Sequence, residues 1–171
     1  MLAHLDAERA GFWPRATIDL YAESLLGNSI AAFAGADAPV NLAMYFPVPD
    51  QQITAITGLQ LTQAITDEFG LFAGKLNALN GDPERFLRDP LTSQFWNAAF
   101  NFNLALDRCY PYSAPSAGFY VYPEEGPSLA FLVLDGRDWP RTSGLANLGV
   151  NGAFLYVEAT LKTSFLGLPG L

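Results

Sequence analysis

The chain has 171 residues, half of them apolar and only 15% charged, with a formal net charge of −8. That length suits one domain with a substantial core, and the acid excess argues against a nucleic-acid backbone or an anionic lipid surface as the main partner, because both call for a basic patch. A single cysteine, Cys109, and a single histidine, His4, leave no disulfide framework and little material for a zinc site or a histidine-dependent triad.

Residues 1–15, MLAHLDAERAGFWPR, contain no apolar run of signal-peptide length and carry acids at Asp6 and Glu8. They are expected as an N-terminal arm. Two periodicities compete in 16–33, where Ile18, Tyr21, Ala22, Leu25, Leu26 and Ser29 fit a helix while 17–21 alternates. A strand over 16–22 agrees better with the rest of the chain. In 40–48, Val40, Leu42, Met44, Phe46 and Val48 share one face of a predicted strand, and Pro47 marks an edge or a strand end. The Ile- and Thr-rich segment 53–65 is also extended, with Gly58 either dividing it or marking a bulge. Another strand is predicted over 69–76. Over 82–90, Asp82 can cap, Pro83 suits the first helical position and Pro90 stops the turn, so one short helix belongs in that connection.

The stretch 100–107 alternates Phe100, Phe102, Leu104 and Leu106 against Asn101, Asn103, Ala105 and Asp107. Asn101 and Asn103 suit a protein neighbour, since an amide donates and accepts without the desolvation cost of a charge; a loop of the same chain covering that face is the other reading. A loop at 110–115, a short aromatic strand at 118–122 and a strand at 128–134 that is apolar on both faces follow. After a long connection, 153–162 closes the fold with Leu155, Val157, Ala159 and Leu161 inward and Tyr156, Glu158, Thr160 and Lys162 outward. In the C-terminal tail, 164–171, Gly167, Pro169 and Gly170 prevent a regular helix, yet Phe165, Leu166, Leu168 and Leu171 are too apolar for a free end. A neighbouring subunit is the expected cover for those four.

These elements sum to an all-β, single-domain, jelly-roll-like β-sandwich or barrel of about eight strands over 1–171, with one short helix in a connection. The uneven connections favour a jelly roll over an up-and-down barrel. The longest uncharged segment, 90–106, falls short of a membrane helix, and no direct membrane insertion is expected.

Chemistry is thinly represented. Neither GxGxxG nor GxxxxGK[ST] occurs, and no catalytic residue, cofactor site or metal-ligand set can be nominated. Asp67-Glu68 and Glu124-Glu125 are adjacent acids that point to opposite sides of an extended chain, whereas a glycosidase sets its pair across a cleft. The best remaining cluster is Asp135-Gly136-Arg137-Asp138, expected as a turn with local ion pairs. Trp13, Trp96 and Trp139 with Tyr110, Tyr112, Tyr120 and Tyr122 suit a sugar-stacking platform, a core or a subunit interface.

The stretches NAAFNFNLALD, SLAFLVLDG and GAFLYVEATLKT, with the chain's length and low charge, resemble the small single-barrel major capsid proteins of tailless, membrane-containing icosahedral phages. That resemblance implies a virion structural protein, made in the host cytoplasm, that assembles with itself and with a larger capsid partner; no enzymatic activity is expected, and the acidic balance departs from what direct contact with a packaged genome would require, so no nucleic-acid contact is expected. The alternative is a cytoplasmic carbohydrate- or small-ligand-binding β-sandwich, ahead of a small-barrel enzyme.

Overall fold

The computed structural model describes residues 1–26, 53–77, 110–124, 126–161, 163–165 and 168–170. Strands β1 (Leu2–Asp6), β2 (Ala16–Leu25), β3 (Ile53–Ala64), β4 (Phe69–Asn77), β5 (Ser113–Val121), β6 (Ser128–Asp135) and β7 (Ala153–Thr160) form one sheet in which every neighbouring pair is antiparallel. Two short strands, β8 (Thr163–Phe165) and β9 (Leu168–Gly170), pair separately with each other. The protein is all-β, and among the described residues its helical content is a 3-10 turn at Leu145–Asn147.

Strand order in the sheet follows the chain from β1 to β7. This is the order of an up-and-down meander, whereas a jelly roll interleaves its strands. The uneven connections are compatible with a meander because the long ones leave and re-enter at the same end. Pairing places Asp6, Ala16, Ala64, Phe69, Val121 and Ser128 at one end, joined through 7–15, 65–68 and 122–127. At the other end, Leu25 and Ile53 are separated by 26–52, Asn77 and Ser113 by 78–112, and Asp135 and Ala153 by 136–152.

The short end is tied down locally. Ile65 and Thr66 both donate their backbone N–H to the Phe69 carbonyl, at 2.9 and 3.0 Å, and the Thr66 hydroxyl accepts from Phe69 N at 2.9 Å. Arg15, with φ 57°, donates its N–H to Glu8 at 2.8 Å and reaches Asp67 with its guanidinium at 2.6 Å.

Several expectations change here. The first fifteen residues are not an arm: Leu2–Asp6 is a strand, and His4 sits opposite Asp19 across the β1–β2 ladder with Nδ1 2.6 Å from its carboxylate. β2 is a strand, as alternation within 17–21 suggests. β5 begins at Ser113, so much of the expected loop at 110–115 is ladder; Pro115 is accommodated opposite Lys75. β3 is continuous, and its irregularity is a bulge that leaves Thr57 without a partner between the Tyr21–Gly58 and Ala22–Ile56 pairs. The predicted strand at 40–48, the short helix at 82–90, and Asn101, Asn103, Leu166 and Leu171 lie outside the described residues, while Phe165 and Leu168 form the last and first positions of β8 and β9.

Candidate functional site

Ladder register assigns each residue of the sheet to one of two faces. One face carries Leu5, Ile18, Leu20, Ala22, Ile56, Leu59, Leu61, Leu71, Phe119, Val121, Leu129, Phe131, Val133, Leu155 and Val157 across all seven strands. Much of it is open to solvent: Leu155, Val157 and Leu161 are 64%, 63% and 61% exposed, and Ile56 is 52% exposed. Lys75 and Asp135 are its titratable groups among the described strands, and both lie at the long-connection end.

The opposite face is mixed. It bears His4, Asp19, Tyr21, Glu23, Gln60, Thr62, Ser116, Tyr120, Tyr156 and Glu158, interspersed with Gly58, Gly70, Gly74 and Gly118. Its side chains are more covered than those of the apolar face, and the core is here: Ala114, Leu132 and Leu134 are buried, with Phe72, Leu76, Tyr110, Phe154 and Tyr156 packed against them. The Tyr110 ring meets Phe154 and Tyr156 edge-on at 5.2 and 6.1 Å, and burial pushes its hydroxyl pKa up. Tyr156 donates to Glu158 at 3.0 Å.

β7 therefore faces the other way from its prediction. Leu155, Val157 and Leu161 point outward, and Phe154, Tyr156, Glu158 and Thr160 form the half-buried row. Alternation identifies two faces but not which of them meets the surroundings; assigning the apolar one inward assumes that the surroundings are water.

The Thr57 bulge would leave polar groups unpaired inside the sheet. Asn77 Nδ2 donates to Thr57 Oγ1 at 2.8 Å and Ser113 Oγ to the Thr57 carbonyl at 2.7 Å, all three residues being buried. Tyr112 donates its hydroxyl to Glu23 in the same region. The network clamps β2 and β3 to the ends of β4 and β5.

Asp135 is not part of an exposed turn. It is 3% exposed, and its Oδ1 accepts from Arg137 N and Trp139 Nε1, both at 3.1 Å, while Oδ2 accepts from Gly149 N at 2.9 Å. Those bonds fold 136–152 back onto the apolar face. Lys75 holds the same connection from below, donating Nζ to Ile56 O at 2.8 Å and Pro140 O at 3.1 Å. Asp138 accepts from Ser113 N at 3.2 Å; loss of solvent pushes its carboxyl pKa up against that single donor. Arg137 lies 5.0 Å over the Trp139 ring.

Neither a family model, nor a curated protein, nor a solved structure matches this chain.

Among the described residues, no group of three or more His, Cys, Asp or Glu side chains is placed to hold a metal ion. Asp67 and Glu68 occupy a short turn, Asp67 with Arg15 and Glu68 accepting from Glu124 N at 3.4 Å. The aromatic set that suits a platform, a core or an interface is not gathered among the described residues: Tyr120 and Tyr122 stack at 5.1 Å, Trp13 is exposed in the turn 7–15, Trp139 is held by Asp135 at the far end, and Trp96 lies outside the described residues. The feature missed from sequence is the continuous apolar face itself, and the alternation of each strand was its signal.

Proposed function

We propose that the seven-stranded sheet is part of the wall of a transmembrane β-barrel, with its apolar face toward lipid and its mixed, partly covered face toward the barrel interior. The observation that carries this reading is the exposed apolar face, which continues across every strand without a titratable group until the long-connection end. A surface of that extent needs a membrane or a protein against it, and membrane barrels alternate apolar outward with polar inward.

Three further observations favour lipid. β2, with ten residues, extends about 33 Å and spans about 25 Å when tilted by about 40°, the height of an outer-membrane apolar band. Phe12 and Trp13, both exposed, lie in the connection 7–15 at the short-turn end, at the level where membrane barrels carry aromatic residues. Short turns at one end and long connections at the other are the usual asymmetry of such barrels. A bilayer tolerates no open sheet edge, so β1 and β7, which flank the sheet, must pair with further strands in the membrane.

A capsid subunit would bury the same face against neighbours. That reading accounts less well for the polar, partly covered opposite face and for the exposed Phe12 and Trp13 at the short-turn end. The two separate in one experiment. Single cysteines placed from 153 to 160 in a Cys109→Ser chain, labelled with a fluorophore and reconstituted in vesicles, should be quenched by bromolipids at 155, 157 and 159 and far less at 154, 156 and 158. Uniform insensitivity to bromolipid along β7 would refute the bilayer reading.

A further inference from the structure

A cavity of about 840 Å³ opens between the connection 136–152 and the apolar face. Leu59, Ala117 and Val133 lie along its sheet side, and Leu145 and Leu148 along its loop side. Its charged lining residues are Lys75, Arg141 and Asp135. The Asp135 carboxylate is occupied by the three donors that shape the connection. Two of the three Lys75 donors go to carbonyls; burial lowers its pKa to about 8, so it is mainly cationic at neutral pH and an anion beside it would strengthen that charge.

We infer that this cavity holds an acyl chain of an anionic lipid, with the lipid phosphate drawn to Lys75 and Arg141. The inference rests on the bilayer reading of the apolar face and names a lipid that this face selects. The cavity has the size of a small-ligand site and is continuous with the apolar face, so a chain can enter from the hydrocarbon side without crossing polar ground. Asp135 and Lys75 fix the connection before any ligand arrives, which lowers the ordering cost of binding. Lys75 and Arg141 lie at the long-connection end of the apolar face, the level of lipid headgroups in this reading, where each cation favours an anionic lipid.

Trp139 supplies the probe, because it packs on Gly144 beside Pro115, which lines the cavity. A full-length chain carrying Trp13→Phe and Trp96→Phe, reconstituted in vesicles, is titrated with brominated phosphatidylglycerol or brominated phosphatidylcholine. Trp139 should report stronger association with the anionic lipid, by roughly fivefold per cation involved. Lys75→Arg should keep the preference and Lys75→Gln should reduce it. Ala153→Phe, which places a ring in the cavity, should abolish preferential quenching by the anionic lipid. Equal quenching by the two lipids, or a preference that survives both Lys75→Gln and Ala153→Phe, would overturn the inference. Fluorophores at positions 155 and 157 report on the wall independently: if bromolipid quenches them while Trp139 shows no preference, only the lipid site fails, and if it does not quench them, the bilayer reading fails first.

Discussion

Asp135 sets the shape of the connection 136–152 because three donors converge on one buried carboxylate. In Asp135→Asn one oxygen becomes an amide that cannot accept, so at least one N–H loses its partner, and unfolding should become easier by about 1–3 kcal/mol. Asp138→Asn should change stability by less than about 1 kcal/mol at neutral pH, since an amide oxygen can still accept from Ser113 N. The pH dependence has a definite sign. Burial raises the folded-state pKa of Asp138, so its contribution is fully present below the unfolded value of about 3.9 and is lost as pH rises through the folded value. The Asn variant does not titrate there and should gain on the parent as pH rises above the ordinary carboxylate range; unfolding curves whose difference stays flat from acid to neutral pH would refute this. Sequence singled out 135–138 but not its role, because the partners that matter are a backbone N–H at Gly149 and an indole at Trp139, and local spacing shows neither as a partner.

At the scale of single strands, periodicity was legible and orientation was not. Alternation in 153–162 separated Leu155 and Val157 from Tyr156 and Glu158 correctly, yet nothing in a period of two states which set meets the surroundings. A lysine tests it directly. Val157→Lys should weaken folding into vesicles by about 2–4 kcal/mol if that position lies near the bilayer midplane, while Glu158→Lys on the other face should be far milder; denaturant titration in lipid measures both, and equal losses would contradict the assignment. β4 carries a second constraint, at Gly74. Its φ of +146° is open to glycine, and a Cβ there would run into the Leu59 carbonyl. Gly74→Ala should therefore destabilise the β3–β4 pair by about 1–3 kcal/mol, read as earlier thermal unfolding. Sequence predicts a strand over 69–76 without distinguishing Gly74 from Gly70, whereas the structure makes Gly74 the place that lets two backbones close.

Across the whole molecule, the all-β class could be read from alternating runs between Gly- and Pro-rich turns, but strand order could not. Order depends on which ends the connections join, and chain length between strands does not record that. The observed ends make opposite predictions for their residues in a sealed vesicle. Cysteines introduced at Arg9 and at Val150, on a Cys109→Ser background, should react with a membrane-impermeant maleimide from opposite sides in any uniformly oriented preparation. Labelling of both from one side would be incompatible with a spanning wall.

The alternation of short and long connections also bears on the route by which the sheet forms. β1 with β2, β3 with β4, and β5 with β6 are each joined through the short end, so each pair closes a small loop and can register locally within microseconds. Joining one pair to the next means closing a loop several times longer, at an additional entropic cost of about 1–2 kcal/mol, before any ladder bond offsets it. The hairpin is thus the kinetic unit of this sheet. Substitutions within 65–68 or 122–127 should slow the first events, whereas lengthening 136–152 should delay only the docking of β7 onto a sheet already assembled.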